Sequence, residues 1–226
     1  MLKDNPCLSL LLSYLTSIEE ETYLVGGAVR NYLLGLEYQD IDIVTKMKPQ
    51  QVIDSFKDLE IDTKGVTFGN VKIYFDERWI SITTFRKDFY KHHNRYPYKV
   101  EFVDTLEEDL MRRDFRVNTI CYHQNRGIVD LLDGQKDLDC MLLTTVQDSV
   151  QSVQEDPLRM FRALRFCCQY NFDLSHELLV AIRNHHKLIQ TISLNLTNEE
   201  KRLMKQGKYF SEKRKQYPNL FKIIYI

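Results

Sequence analysis

Two aspartates separated by a single residue are the first candidates for chemistry. Asp40 and Asp42 fall in segment 40–44, where polar and apolar residues alternate as in a half-buried β-strand. Side chains two positions apart on a strand leave the same face, so the two carboxylates could share one or two Mg²⁺ ions. Such pairs are also common on solvated strand faces, so this one carries weight only with its surroundings.

A glycine turn lies upstream of the aspartates. Gly26 and Gly27 end the apolar run 22–25, and helical spacing follows through residue 34. Glycines let backbone amides approach a ligand closely, and a helix that begins there directs its positive end toward an anion. Arg30 would add a charge-assisted contact to the phosphates of a nucleoside triphosphate. An ordinary strand-to-helix connection has the same pattern.

The elements that must position these residues mix strands and helices in the first part of the chain. Helical spacing predicts a helix over 6–18 and another from Thr105 to about Tyr122, and everything after about 148 reads as helical. Alternation and apolar runs predict strands at 22–25, 40–44, 71–75, 79–85 and 100–103, with a long polar loop over 86–99. We expect an α/β (α+β) domain with a mixed sheet over 1–145 and an α-helical domain over 146–226.

Composition narrows the function classes. The 31 basic and 32 acidic residues nearly cancel, so nucleic-acid binding would need a local patch. Five cysteines without a CxxC pair favour free thiols in a reducing cytoplasm over a zinc site or a secreted disulfide framework. No apolar run reaches membrane-spanning length, so we expect a cytoplasmic protein without a membrane partner.

Four collinear segments resemble class II tRNA nucleotidyltransferases and bacterial poly(A) polymerases, which belong to the polymerase-β-like nucleotidyltransferase superfamily. The segments are VGGAVRNYLLG at 25–35 with DID at 40–42, TTFR at 83–86, LMRRDFRVN at 110–118 and EDPLRMFRALRF at 155–166. The resemblance implies a catalytic head (1–145), an α-helical neck (146–226) and Mg²⁺ as cofactor. It covers roughly residues 6–205, and the neck is expected to be truncated relative to the family.

The resemblance also implies roles for individual residues. Asp40 and Asp42 would be the catalytic and metal-binding residues, and the base of the incoming nucleotide would be read by Asp156 and Arg159. A carboxylate beside an arginine matches the amino donor and ring-nitrogen acceptor that cytosine and adenine share. Asp114 and Asn118, four apart on the predicted helix, would face the ribose. The complete nucleotide-binding set is Gly26, Gly27, Arg30, Arg113, Asp114, Asn118, Glu155, Asp156, Arg159, Arg162 and Arg165, of which the last five are expected on one helix.

The implied activity is template-independent addition of C and A, from CTP and ATP, to the 3′ end of tRNA with release of pyrophosphate. A poly(A) polymerase, a CC- or A-restricted tRNA enzyme, and a non-catalytic RNA- or nucleotide-binding module remain alternatives. A homo-oligomer or a partner protein would supply the RNA-binding domains that family members carry beyond the neck. Asn31 departs from the family, which usually has an aspartate after the arginine of this motif.

Overall fold

The computed structural model describes residues 5–38, 40–90 and 97–225. The chain divides into two compact units. Unit 1 comprises Met1–Asp88, Val100–Arg113 and Val117–Gln135. Unit 2 comprises Phe89–Lys99, Asp114–Arg116 and Lys136–Ile226. The polar loop predicted over 86–99 lies partly outside the described residues, because it includes 91–96. In its described part the prediction is wrong at both ends, since Arg86–Phe89 forms a strand and a second strand begins at Lys99. The head and neck boundary at residue 145 stays a prediction.

The strands and helices alternate in unit 1 and helices dominate unit 2. The strands are β1 Thr22–Val25, β2 Ile41–Thr45, β3 Ile61–Asp62, β4 Asn70–Phe75, β5 Arg78–Thr84, β6 Arg86–Phe89, β7 Lys99–Phe102, β8 Cys121–His123, β9 Gly127–Val129, β10 Leu142–Leu143 and β11 Asp173–Leu174. The α-helices are α1 Pro6–Ile18, α2 Gly27–Leu33, α3 Pro49–Ser55, α4 Leu106–Met111, α5 Gly134–Asp139, α6 Ser149–Glu155, α7 Leu158–Tyr170, α8 His176–His185, α9 Leu194–Gln206, α10 Phe210–Gln216 and α11 Pro218–Ile224.

The main sheet of unit 1 has the order β3-β4-β5-β2-β1-β8-β9. Its neighbours pair antiparallel except β2 and β5, which run parallel, so the expectation of a mixed sheet is confirmed. The parallel pair requires a crossover, which α3, β3 and β4 provide. β1 therefore lies inside the sheet with a neighbour on each side, and all four of its residues are buried.

Local signals explain why these elements form. The Asn5 side chain accepts a hydrogen bond from the N–H of Leu8 at 3.0 Å and caps α1, the helix predicted over 6–18. Its leucines at 8, 11, 12 and 15 are buried, as the periodicity requires. The core includes apolar side chains from both ends of unit 1: Tyr23, Val25, Val44, Phe85, Val103, Leu106, Leu110 and Cys121.

The helix predicted from Thr105 to about Tyr122 is wrong over its second half. α4 begins where Thr105 caps the N–H of Glu108 and ends at Met111. The chain then forms a 3₁₀ turn at Arg116–Asn118 and the strand β8. Asp114 Oδ1 accepts the N–H of Phe115 at 2.8 Å, a local bond that competes with helix. Asp114 and Asn118 therefore do not share a helix face.

A second correction concerns the five residues from Glu155 to Arg165 that the sequence predicts on one helix. Glu155 is the last residue of α6, Asp156 has extended backbone angles, and α7 begins only at Leu158. Pro157 is the cause, because a proline disfavours the helical conformation of the residue before it. Arg159, Arg162 and Arg165 lie on α7 without the two acidic residues.

The helices of unit 2 are held together by packing and by charged contacts. α7 contributes nine buried residues, and Arg165 Nε reaches Glu200 of α9 at 2.6 Å. Lys213 of α10 donates to Asp173 at 2.7 Å. This helical C-terminal part agrees with the expected fold class. None of the helices in the described part of the chain is long and apolar enough to cross a membrane.

Candidate functional site

The register of β1 brings the glycine turn and the aspartates to one edge of the sheet. Val25, the last residue of β1, is paired with Asp42 on one side and with Cys121 on the other. Gly26 follows Val25 directly, and Asp40 lies immediately before β2. Both Asp40 and Asp42 are exposed. Residues far apart in the sequence thus meet where three neighbouring strands begin or end.

Arg30 and Asn118, two of the predicted nucleotide-binding residues, are in direct contact in unit 1. The Arg30 side chain is 5% exposed, and its Nη1 donates to Asn118 Oδ1 at 2.6 Å. Gly26 has φ +76°, and a Cβ placed there would lie 3.8 Å from Arg113 Nη1. Arg113 therefore lies beside the glycine turn, and its role as a nucleotide contact stays a prediction.

Asn31 takes over the orienting role that an aspartate would have at this position. Its Oδ1 accepts from Arg30 Nη2 at 2.7 Å and from Arg30 Nε at 3.1 Å. The Asn31 amide nitrogen in turn donates to the carbonyl of Glu37 at 2.9 Å. Asn31 therefore orients Arg30 without carrying the negative charge that an aspartate would have.

A polar cavity of about 380 Å³ opens on the other side of Asp42. It is lined by Asp42, Ile43, Val44, Asn70, Ser81, Thr83, Arg86, Arg112 and Arg113. Partial desolvation by the cavity walls raises the pKa of Asp42, and Asp40 raises it further. The charge of Arg113 and a hydrogen bond from Ser81 act in the opposite direction.

The arginines of this cavity are held from behind by buried carboxylates. Asp109 is fully buried and accepts from Arg112 Nη2 at 2.8 Å and from Arg113 Nη2 at 3.1 Å. Arg86 Nε lies 3.0 Å from Asp88 Oδ1, and Asp88 is 3% exposed. Sequence reasoning missed Asp109, although its spacing of three and four residues from the two arginines on a helix was a usable signal.

The predicted residues of unit 2 form several separate contacts. Arg162 forms an ion pair with Asp114, its Nε lying 2.8 Å from Oδ2, and the charge of Asp114 raises the pKa of this arginine. Arg159 is 4% exposed and donates to Ser152 Oγ at 2.8 Å. Asp156 Oδ1 accepts the N–H of Leu158 at 3.0 Å. Their nucleotide-binding roles, and that of Glu155, stay predictions.

The donor set at the sheet edge suits a hard divalent cation. Asp40 and Asp42 offer carboxylate oxygens, and the described residues hold no group of three or more His, Cys, Asp or Glu that could bind a metal. Mg²⁺ is typically bound by one or two carboxylates together with substrate phosphates and water. Two exposed aspartates at an open edge fit that pattern.

Comparison with known proteins identifies relatives that are named CCA-adding enzymes. The chain is similar to the CCA-adding enzyme of Lactobacillus delbrueckii subsp. bulgaricus, with 39% identity over 180 residues, which are 80% of this chain and 45% of that protein. The CCA-adding enzyme of Enterococcus faecalis is 37% identical over 174 residues, or 77% of this chain and 42% of the relative. The chain therefore spans less than half the length of these two relatives.

Solved structures give the same result. The Bacillus stearothermophilus CCA-adding enzyme in complex with CTP superposes with a TM-score of 0.80 at 31% identity, covering 91% of this chain and 49% of that one. The Thermotoga maritima CCA-adding enzyme complexed with tRNA-CCA has a TM-score of 0.76 at 21% identity, covering 94% and 50%, and this likeness shows the fold alone.

The expected fold class is confirmed by these superpositions: a nucleotidyltransferase head with a mixed sheet, followed by helices. The model of one protein family, described as the poly A polymerase head domain, matches residues 22–144. That segment contains the glycine turn, both aspartates, Arg113 and Asn118. The chain belongs to the family of the poly A polymerase head domain.

Proposed function

We propose that this chain is an RNA nucleotidyltransferase that adds C and A, from CTP and ATP, to the 3′ terminus of tRNA without a nucleic-acid template and releases pyrophosphate. The observation that carries the proposal is the register of β1 with β2, which sets Asp42 beside the glycine turn. Relatives named CCA-adding enzymes, one of them in complex with CTP, support this choice of substrates.

Asp40 and Asp42 would hold Mg²⁺ at the edge of the sheet. When bound, such an ion stabilises the charge that develops on a phosphate during transfer. The protein's contribution is positioning, because phosphoryl-type transfer needs no covalent intermediate on a side chain. Ser81 donates a hydrogen bond to Asp42 and so helps to fix the direction of that carboxylate.

The phosphates of the incoming nucleotide would contact the glycine turn and two arginines. Gly26 and Gly27 carry no side chain that would block their backbone amides. Arg30, fixed by Asn31 and Asn118, and Arg113, fixed by Asp109, supply positive charge beside the turn. Guanidinium groups that are already oriented lose little freedom when they bind phosphate.

The base-reading role of Asp156 and Arg159 is also part of the proposal. Uracil and guanine present the reversed donor and acceptor pattern, and each unpaired buried group would cost about 1–3 kcal/mol. Glu155 lies 3.9 Å from Arg159 and would help to orient it. Asp114 would meet the ribose while paired with Arg162, whereas the contact of Arg165 with Glu200 favours a packing role for this arginine.

One alternative has a specific observation in its favour. The matching family model is described as a poly A polymerase head domain, so repeated addition of A is the second candidate activity. A CC- or A-restricted enzyme would share the same residues. A non-catalytic binder is disfavoured by the intact pair Asp40 and Asp42. A cytoplasmic location, and a partner or second copy that helps to bind tRNA, complete the proposal.

The test is incorporation of single labelled nucleotides. The chain is incubated with Mg²⁺, each labelled nucleoside triphosphate separately, and tRNAs that end before CCA, after C and after CC. We expect C on the first two tRNAs and A on the third. Repeated A on any RNA would establish a poly(A) polymerase instead, and no incorporation on any substrate would contradict both activities.

The matched variants are Asp42→Ala and Asp54→Ala, both of which remove an aspartate from unit 1. Asp42→Ala should abolish incorporation and keep the circular dichroism spectrum and melting temperature of the wild type, because an exposed carboxylate contributes little to stability. Asp54 is an exposed residue of α3 that accepts a hydrogen bond from the side chain of Gln50 at 2.9 Å, and its variant should retain activity. Equal loss in both variants would refute the metal-site assignment.

A further inference from the structure

Another cavity lies at the C-terminal helices of unit 2 and has no role in the account given so far. This C-terminal cavity has a volume of about 810 Å³, within the range of small-ligand sites, roughly 300–1,000 Å³. Its walls come from α9, α10, α11 and the residue that follows α11. All of its lining residues belong to unit 2, so the cavity is a feature of one compact unit.

The floor of the C-terminal cavity is hydrocarbon and consists of Phe210, Pro218, Phe221 and Tyr225. Phe210 and Phe221 meet edge to face with their ring centroids 5.7 Å apart, and Phe221 stacks on Tyr225 at 6.3 Å. Phe221 is 3% exposed, so the surrounding helices fix its ring, whereas Tyr225 keeps 37% of its surface exposed. These rings offer a preformed apolar surface, and a ligand that covers it gains from the release of water.

Three exposed cations, Lys205, Arg214 and Lys222, surround this apolar floor. Lys205 Nζ lies 5.5 Å from the centroid of the Tyr225 ring. Burial raises the pKa of Tyr225 and the charge of Arg214 opposes that rise, so Arg214 is within electrostatic reach of the same ring. Positive charge from α9 and α10 therefore converges on the edge of the apolar floor.

The cations of the C-terminal cavity differ from their neighbours on the same helices. Arg202 of α9 forms an ion pair with Glu199 at 2.7 Å, and Lys213 of α10 forms one with Asp173 at 2.7 Å. The three cations of the cavity form no ion pair within the described residues. No carboxylate is among the described lining residues either. An anion that entered would therefore meet positive charge alone.

A hydrocarbon floor ringed by cations selects a ligand with an apolar body and an anionic group. A nucleobase fits poorly, because the hydroxyl of Tyr225 is the only uncharged polar side-chain group among the described lining residues. The ring nitrogens and amino groups of a base would be left unpaired, which weakens binding. A hydrocarbon chain has no such groups, and a carboxylate matches the fork of the Arg214 guanidinium. The volume suits one small molecule rather than a protein segment.

We propose that the C-terminal cavity binds an aliphatic carboxylate, whose chain lies on the aromatic floor and whose carboxylate meets Arg214 and Lys205. The site is distinct from the sheet edge that carries Asp40 and Asp42, because those aspartates belong to unit 1. The inference therefore does not rest on nucleotide transfer. A binding measurement decides it, whatever activity the sheet edge has.

The test is calorimetric titration of the full chain with decanoate, below the concentration at which decanoate forms micelles. Octanoate measures the contribution of chain length, and octan-1-ol, compared with octanoate, measures the contribution of the negative charge. The matched variants are Arg214→Gln and Lys215→Gln, which change adjacent exposed residues of α10. Only the first of these residues lines the cavity. The melting temperature of each variant is compared with that of the wild type.

The wild type should bind decanoate saturably and with a negative change in heat capacity, which marks the burial of apolar surface. Octanoate should bind about tenfold more weakly, because it buries two methylene groups fewer. Arg214→Gln should weaken decanoate binding about fivefold, since a charge-assisted hydrogen bond is lost, and should leave octan-1-ol binding unchanged. Lys215→Gln should bind decanoate within about twofold of the wild type, because its charge is solvated away from the cavity.

Four results would overturn the inference. Absence of saturable decanoate binding by the wild type would show that the cavity is not a site for this ligand. Equal weakening in Arg214→Gln and Lys215→Gln would show that decanoate responds only to the net charge of the helices. Equal affinities for octanoate and octan-1-ol would remove the carboxylate from the recognition. Displacement of decanoate by a short single-stranded RNA, whose own affinity falls in Arg214→Gln, would assign the cavity to nucleic acid.

Discussion

Asp109 is a buried carboxylate that serves Arg112, Arg113 and the backbone N–H of Arg86 together. Breaking a buried ion pair by removing one partner typically costs about 3–5 kcal/mol, because the other charge is left uncompensated. We therefore expect Asp109→Asn to lower the free energy of unfolding by about that amount at pH 7. Urea unfolding followed by circular dichroism measures it, with Asp58→Asn at an exposed position as the control.

The stability difference between the wild type and Asp109→Asn should also depend on pH. Burial raises the pKa of Asp109, but the charges of Arg112 and Arg113 and their hydrogen bonds outweigh it and leave the pKa below its ordinary value. A depressed folded-state pKa contributes stability above the unfolded value, about 3.9, and that contribution is lost as the pH falls through the folded value. The stability gap between wild type and Asp109→Asn should thus be constant above about pH 5 and shrink below about pH 4. A gap that widens in acid would contradict the assignment.

Residues that act through motifs were accessible from the sequence, and residues that act through register were not. Gly26, Asp40 and Asp42 stand in segments whose spacing and residue types predict phosphate and metal chemistry, and Arg113 was predicted from the family resemblance. Asn70 and Ser81 carry no such signal, because they meet Asp42 only through the pairing of β2, β5 and β4. A linear pattern does not contain strand order.

The glycine turn between β1 and α2 offers a matched pair of substitutions. Gly26 has φ +76° and ψ −134°, a backbone conformation that residues with a Cβ atom rarely adopt. Gly27 has no positive φ, and a Cβ there would meet only Arg30 Nη2 at an ordinary 3.6 Å. Gly26→Ala should cost about 1–3 kcal/mol of unfolding free energy, whereas Gly27→Ala should be close to neutral.

Thermal unfolding of the two glycine variants, compared with the wild type, decides this prediction. The result that would contradict it is equal stability of both variants, since the strain at Gly26 would then be relieved without cost. Nucleotide affinity gives a second measurement. It should fall more for Gly26→Ala, because relief of strain moves the backbone amides of the turn.

Elements with strong local signals were predicted well, and elements decided by tertiary contacts were not. α1 has a cap, a proline in its first turn and buried leucines at helical spacing, and its predicted bounds are confirmed. The segment after α4 also has helical spacing, but Phe115 is fully buried and pairs with Thr145 in an isolated bridge. Tertiary pairing outweighs propensity there, because propensity is worth only tenths of a kcal/mol per residue.

At the scale of the whole molecule, the cysteines report on each unit separately. Cys140 is exposed and Cys7 half-buried, whereas Cys121 in unit 1 and Cys167 and Cys168 in unit 2 are buried. Burial raises the pKa of Cys121 and of Cys168 to about 12, so their thiolate populations at pH 8 are very small. In the native protein we expect Cys140 to be alkylated first and the three buried thiols only on unfolding.

The measurement is alkylation in increasing urea, with the modified cysteines identified by peptide mass. Loss of protection at Cys121 reports the unfolding of unit 1, and loss of protection at Cys167 reports the unfolding of unit 2. Alkylation of Cys121 in native buffer as fast as Cys140 would show that unit 1 opens readily. The exposed Cys140 serves as the internal reference for the chemical rate.

The fold class of the whole molecule was predictable because motif resemblance carries information that propensity lacks. The mixed sheet and the helical C-terminal part follow from the four motifs and from periodicity. The chain passes from unit 1 to unit 2 and back over a few residues, and this path could not be predicted. Asp114–Arg116 belongs to unit 2, whereas Val117–Gln135, which follows directly, belongs to unit 1. Such short exchanges leave no mark in composition or spacing.

The position of β1 inside the sheet has a consequence for the order of synthesis. The glycine turn and both aspartates emerge from the ribosome early, together with the β1 and β2 strands that carry them. β8, the second neighbour of β1, and Asn118, the partner of Arg30, emerge much later. A nascent chain therefore contains Asp40 and Asp42 before it contains β8, the strand that completes the pairing of β1. We expect the growing protein to be inert toward nucleotides until residue 123 has left the exit tunnel.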